Sequence, residues 1–325
     1  MIPLKKIIIV AGPTASGKSQ LAIAIAKKIG GEIISADSRQ IYRNLTLGTG
    51  KINGRWQKIN NEKFFVYKSI IHHCIDFVSP KHQFSVAEYQ QCARNAILAI
   101  IARGHTPIIA GGTGFWIEAV VYDMALPEVK PNMRLRKSLE KKDTAELFRI
   151  LARLEPRRAE EIDPQNPRRL IRAIEIATAL GHVPRIRKKM PYAALWIAPD
   201  VDPGELIRTI AKRLDARIAH GMIKEARTLR REGLSWKRFY ELGLEYRYAA
   251  LYLQGQLSRN NMREELLRAI THYAKRQMTW FARVREIHWV RKEREALRLA
   301  STFISRSSKR NKSTISPARH PKKKE

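Results

Sequence analysis

Gly12-Pro13-Thr14-Ala15-Ser16-Gly17-Lys18-Ser19 follows directly on the apolar run Lys6-Ile7-Ile8-Ile9-Val10-Ala11. The eight residues fit G-x-x-x-x-G-K-[ST], the P-loop, in the strand-before, helix-after setting that phosphate binding requires. The β-branched run, bounded by Gly-Pro, reads as a buried strand. Ser19 to Lys28 reads as a helix with basic residues in its last turn and Gly30-Gly31 as its stop. In such a turn successive backbone N–H groups converge on a phosphate, and the helix N-terminus adds partial positive charge. Lys18 is placed to reach terminal phosphate oxygens and the Ser19 hydroxyl to join a Mg²⁺ shell. The loop alone leaves open whether a diphosphate or a triphosphate is held.

Working outward, Gly31-Glu32-Ile33-Ile34-Ser35-Ala36-Asp37 is a second strand, parallel to the first by the βαβ rule. Ligands of parallel sheets sit at the carboxyl ends of strands, so Asp37 is expected to face the same crevice as Lys18. An Asp at a strand end also caps turns, and that reading stays open here. Ser85 and Glu88 form a capping box for a helix reaching Arg103. Then Thr106-Pro107-Ile108-Ile109-Ala110-Gly111-Gly112-Thr113-Gly114 repeats the opening logic: buried strand, glycine turn, helix. Gly48 to Lys68 reads as a loop, and the adjacent His72 and His73 lack the spacing of metal ligands.

Lys and Arg number 62 against 30 Asp and Glu, a net charge of +32. That imbalance calls for a polyanionic partner, nucleic acid before membrane. Only Cys74 and Cys92 are present, which excludes a disulfide framework and suits a reducing cytoplasm. No stretch approaches the length of a membrane span, and with the first strand starting within a few residues of Met1 no leader is expected.

The texture changes after Asp123. Four polar, Arg-dense helices are expected between Met133 and Leu180, carrying Arg168, Arg169 and Arg172, before Leu195-Trp196-Ile197-Ala198 returns to strand. Helices then run from Gly204, Ile223, Tyr240 and Asn261, and Ile287-His288-Trp289-Val290 is a last strand. The expected architecture is α/β: a P-loop NTPase-like core with a parallel sheet flanked by helices, plus an all-helical insertion domain. The core takes 1–122 and 193–298, the insertion 123–192, and a disordered basic tail 299–325.

These segments together resemble the tRNA dimethylallyltransferase (tRNA isopentenyltransferase) family. The resemblance rests on the P-loop and on Ile34-Ser35-Ala36-Asp37-Ser38-Arg39-Gln40-Ile41-Tyr42-Arg43. It continues through His73-Cys74-Ile75-Asp76, Phe84-Ser85-Val86-Ala87-Glu88-Tyr89, Gly111-Gly112-Thr113-Gly114, and Tyr273-Ala274-Lys275-Arg276-Gln277-Met278-Thr279-Trp280-Phe281. It implies transfer of a dimethylallyl group from dimethylallyl diphosphate to N6 of the adenine 3′ of the anticodon, in tRNAs reading U-initial codons. The implied base is Asp37, with Thr113 on the leaving oxygen and Arg134 supporting the transition state. Gly12 to Ser19 and Arg213 would hold the diphosphate, with Mg²⁺ on Ser19. Contacts to the anticodon stem-loop are implied for Asp37, Ser38, Arg39, Gln40, Arg168, Arg169, Arg172, Gly243, Lys275, Arg276 and Gln277. A cytoplasmic monomer without membrane contact is implied as well.

Departures from the family pattern are Gly50 and Ile52 in Gly-Thr-Ala-Lys-Pro, Trp116 for Tyr, Lys130 for Asp, Leu244 for Tyr and Thr209 for Arg. None touches Lys18, Asp37 or Thr113. A small-molecule kinase would share Lys18, Ser19 and Mg²⁺ but leaves the positive charge unexplained. An enzyme prenylating free adenine nucleotides would share the chemistry yet needs no large basic surface.

Overall fold

The computed structural model describes residues 4–306. In chain order the first elements are β1 (Lys5–Ala11), α1 (Lys18–Ile29), β2 (Gly31–Ser35), β3 (Arg55–Ile59), β4 (Glu62–Tyr67), β5 (Ile70–His73), α2 (Val86–Ala102), β6 (Thr106–Gly111) and α3 (Gly114–Val121). Four helices follow: α4 (Met133–Leu139), α5 (Thr144–Leu154), α6 (Pro156–Glu161) and α7 (Pro167–Leu180). The chain continues with β7 (Tyr192–Pro199), α8 (Pro203–Ala219), α9 (Met222–Arg231), α10 (Trp236–Leu242), α11 (Leu244–Leu253), α12 (Arg259–Phe281), β8 (Ile287–Val290) and α13 (Glu293–Ser305).

Two compact units result: the chain up to Asp123 with the chain from Met190 on, and Met124–Lys189. The first is built on one sheet in the order β3-β4-β5-β2-β6-β1-β7-β8, parallel except for β3 and β4. The two-residue period of β1 explains its layering. Ile7, Ile9 and Ala11 join one core with Tyr89, Ile97 and Phe239, while Ile8 and Val10 join the other with Leu21, Ile25 and Ala300. Both faces are covered, so β1 is apolar from Ile7 to Ala11 rather than alternating. The helical unit has its own core of Leu147, Leu151, Leu170 and Ile174.

Three expectations are corrected. The segment read as a loop through Lys68 contains the β3–β4 hairpin, turned by Asn60 and Asn61 at φ 47° and 66°. Two Asn at positive φ are what a tight, right-twisted hairpin selects. The helix expected to run unbroken from Tyr240 is split at Gly243, which sits at φ 73° between α10 and α11. The expected tail from 299 overlaps α13, whose Ala296 and Ala300 are fully buried against α1. The remainder of that tail, from 307 on, lies outside the described residues.

Candidate active site

The cradle forms where β1 hands the chain to α1. Gly17 has φ 84° with nothing near a would-be Cβ, so the requirement there is conformational. The Lys18 ammonium, half-buried, donates to the carbonyl of Pro13 at 3.0 Å and has no carboxylate partner among the described residues. Burial pushes it down from its ordinary 10.5 to about 8; Asp37 works against the shift and Arg213 with it. Arg213, on α8, is itself lowered by burial and by neighbouring Arg217, with Glu245 opposing. Two cations held close, neither in an ion pair among the described residues, form a site for an anion. The first amides of α1 have no intrahelical partner and add to it.

Asp37 follows the end of β2. Its Oδ1 accepts from the backbone N–H of Arg39 at 2.9 Å and of Gln40 at 3.3 Å. The capping reading of Asp37 is therefore correct for one oxygen. Oδ2 has no hydrogen bond among the described residues. Thr113 precedes α3 but does not cap it. Its Oγ1 instead accepts from the N–H of Ser38 at 3.2 Å, while its own N–H donates to the carbonyl of Ala36 at 3.1 Å. The two strand ends are thus stitched together, and the Thr113 hydroxyl proton is left available to donate.

Gln277 differs from expectation. It is only 6% exposed and lies between the glycine turns. Its Oε1 accepts from the N–H of Thr14 at 2.8 Å, and its Nε2 donates to the carbonyl of Gly112 at 2.8 Å. A Cβ on Gly112 would lie 2.2 Å from that Nε2, so any side chain there would have to displace the Gln277 amide. Gln277 clamps the two glycine turns, a role not expected of it beside the implied tRNA contact, and it uses the Thr14 amide expected for phosphate. Its helix neighbours Lys275 and Arg276 are exposed, with Arg276 over the Tyr273 ring at 5.9 Å from the centroid. Phe281 is fully buried, and Trp116 stacks on Tyr89 with centroids 4.3 Å apart.

Arg39 donates to the carbonyls of Ser38 (3.3 Å) and Glu241 (3.4 Å) and meets no carboxylate among the described residues; burial lowers its guanidinium. Gly243 forms the joint between α10 and α11. In the helical unit Arg134, Arg168 and Arg169 are exposed. Arg172 is not free: it pairs with buried Glu175 and donates to the carbonyl of Val129 at 2.9 Å. Arg136 holds the same carboxylate bidentately at 2.8 and 2.9 Å, a pairing the sequence did not announce.

No cluster of three or more His, Cys, Asp or Glu able to hold a metal exists among the described residues. Exposed Ser19, in the first turn of α1, fits Mg²⁺ only as one ligand among substrate oxygens and water, which is how that ion binds phosphorylated substrates. Among the described residues no helix is long and apolar enough to cross a membrane.

A mostly parallel sheet with a P-loop, a free carboxylate oxygen and a hydroxyl donor at adjoining strand ends defines a P-loop-type α/β protein that handles phosphorylated ligands. The IPP transferase family model matches residues 40–284. The chain is 38% identical over 289 residues to tRNA dimethylallyltransferase 2 of Trichlorobacter lovleyi, covering 87% of this chain and 91% of that one. It is 37% identical over 313 residues to tRNA dimethylallyltransferase 1 of Hahella chejuensis, covering 94% and 98%. Among solved structures it is similar to the tRNA isopentenylpyrophosphate transferase of Bacillus halodurans, with TM-score 0.67, 30% identity, and 92% and 96% of the two chains covered. A eukaryotic dimethylallyltransferase acting on tRNA shares the fold at TM-score 0.67 and 24% identity, covering 85% and 70%. The chain belongs to the IPP transferase family, and it is a transferase.

Proposed function

We propose that this chain moves the dimethylallyl group of dimethylallyl diphosphate to N6 of the adenine 3′ of the anticodon, in tRNAs reading U-initial codons, with release of diphosphate. The observation that carries the reading is the junction of Asp37, Ser38 and Thr113 beside the Lys18 cradle. An adenine amine is a poor nucleophile because its lone pair is delocalised, and an allylic diphosphate leaves only when its charge is neutralised. Prenyl transfer therefore needs a proton acceptor on one side of the allylic carbon and a cationic cradle on the other.

Asp37 Oδ2 takes the N6 proton as the C–N bond forms, while the capped Oδ1 keeps the carboxylate from rotating away. The Thr113 O–H donates to the oxygen that leaves with the C–O bond. Lys18 and Arg213 stabilise the charge that grows on the diphosphate. Bound Mg²⁺, held by diphosphate oxygens, water and Ser19, would supply further charge neutralisation. The target adenine must leave its stack to present N6, and we assign Gln40, beside Asp37, to hold it. Exposed Lys275 and Arg276 on α12, and Arg168 and Arg169 on α7, suit phosphates of the anticodon stem-loop. We place the reaction in the cytoplasm, carried out by a monomer.

The test supplies dimethylallyl diphosphate or ATP, each labelled, with unmodified tRNA or AMP. Prenyl label entering tRNA supports the proposal. ATP label entering a small acceptor, with none in tRNA, sinks it in favour of a kinase, and prenyl label in AMP alone favours the free-nucleotide reaction.

A further inference from the structure

Glu225 of α9 takes no part in the chemistry above, yet its carboxylate accepts four hydrogen bonds. Oε2 takes the backbone N–H of Thr46 (3.0 Å) and Leu47 (2.7 Å); Oε1 takes the N–H of Gly48 (3.0 Å) and the Tyr246 hydroxyl (2.7 Å). Three successive amides turned onto one anion is the arrangement proteins use to bind a carboxylate or phosphate. Here the anion belongs to the chain itself. Thr46 to Lys51 lies in no strand or helix, so these amides would otherwise have no protein partner.

The held segment leads into the active site. The carbonyls of Thr49 and Gly50 both lie 3.5 Å from Gln40 Nε2, the long limit of a hydrogen bond. A methyl group on Gly50 would stand 3.1 Å from Arg213 Nη2. Arg217 Nη1 donates to the Gly48 carbonyl at 3.2 Å and pairs with Glu245 at 2.9 Å. At the far end Lys51 Nζ donates to the Tyr42 carbonyl and to Asp76 Oδ1, each at 2.6 Å. The loop is therefore fixed at both ends, and what it presents between them faces Gln40 and Arg213.

We propose that Glu225 is a positioning residue for prenyl transfer: by fixing the amides of Thr46, Leu47 and Gly48, it sets the Thr49 and Gly50 carbonyls that orient the Gln40 amide beside Asp37. The inference rests on the reading of Gln40 and Asp37 under the proposed function. A purely structural Glu225 would affect folding without regard to Gln40; a positioning Glu225 acts through it.

The experiment is a double-mutant cycle on the full chain, with dimethylallyl diphosphate and unmodified tRNA, following kcat and KM for each substrate together with thermal stability. Glu225→Gln keeps the shape but replaces an acceptor by a donor facing donors. We expect kcat to fall about 10-fold or more, since displacements near 1 Å can cost about 100-fold. In the Gln40→Ala background the same substitution should change kcat by less than about 2-fold, because coupled sites are non-additive. An unchanged kcat, or an equal loss in both backgrounds, overturns the proposal. Should Glu225→Gln fail to fold, Tyr246→Phe, which removes one donor of four, takes its place in the same cycle. A loss of about 3-fold is then expected with Gln40 present and almost none with Gln40→Ala. No loss, or the same loss in both backgrounds, again overturns the proposal. An inactive wild-type chain counts against the prenyl-transfer reading, whereas an active one with uncoupled variants counts against Glu225 alone.

Discussion

The two ends of β2 treat charge in opposite ways. Toward the amino end, Glu32 is 2% exposed and fully partnered: His73 Nε2 at 2.6 Å, His105 Nδ1 at 2.7 Å, and Arg103 bidentately at 2.7 and 2.9 Å. Burial alone would raise its carboxyl, but those hydrogen bonds win and hold it well below the usual carboxylate range. At the carboxyl edge of the sheet, Lys18 after β1 and Arg39 after β2 are desolvated and, among the described residues, hydrogen-bond to backbone carbonyls and to no carboxylate. Paired charge closes a structure. Charge kept close and unpaired is stability withheld, and it is recovered when an anion arrives.

Substitutions should separate the two ends. Among the cradle cations, Lys18→Met is expected to cost the most activity, a factor of about 10²–10³ in kcat, while leaving the unfolding midpoint unchanged or slightly raised. Asp37→Asn should abolish transfer in a single-turnover assay and leave tRNA affinity nearly intact; a parallel loss of binding would contradict its role as base. Glu32→Gln should do the reverse of Lys18→Met. It should lower stability by about 2–3 kcal/mol in denaturant unfolding, less than a fully buried pair because His105 and Arg103 are partly solvated, with kcat of the folded protein preserved. Gln277→Ala, which frees both glycine turns, should cost about 1–3 kcal/mol and a smaller share of kcat than Lys18→Met. Smallest of all, Lys275→Ala should weaken every tRNA about equally and reduce the slope of log affinity against log salt by about 1.

The pH responses differ in sign as well. Glu32 has a folded value below its ordinary 4.5, so its contribution to stability is present above that pH and drains away as pH falls. Lys18 has a folded value of about 8, below its ordinary 10.5. Between those values the ligand-free protein binds fewer protons than the unfolded chain, so this group adds stability as pH rises. Anion affinity runs the other way, because the ammonium is lost above about 8.

The sequence carried the parts of this contrast that are local. Lys18, Asp37 and Thr113 follow strands whose apolar runs stand out, so topology alone places them together. Arg213 had no such local signature and came from the family resemblance. The β3–β4 hairpin was hidden because β3 is exposed throughout; its signals were Asn60-Asn61 and the aromatic run Phe64-Phe65-Val66-Tyr67. Helix α13 was concealed by a Ser- and Arg-rich texture, though Ala296, Ala300 and Ile304 keep a four-residue spacing. Gln277 and Glu225 were not legible as clamps at all. Each serves backbone groups far away in sequence, Glu225 across 179 residues to Thr46, and no local pattern records a partner that distant.

Whether the unpaired cations of the cradle await a diphosphate is decided by titrating the wild-type protein and Lys18→Met with dimethylallyl diphosphate at pH 7 and pH 9, in buffers of different ionisation enthalpy. Wild-type binding should be tighter at pH 7 and accompanied by proton uptake at pH 9, and Lys18→Met should lose both the affinity and the uptake. Equal affinity at the two pH values, with no proton uptake and no effect of Lys18→Met, would mean that the cradle is not waiting for an anion.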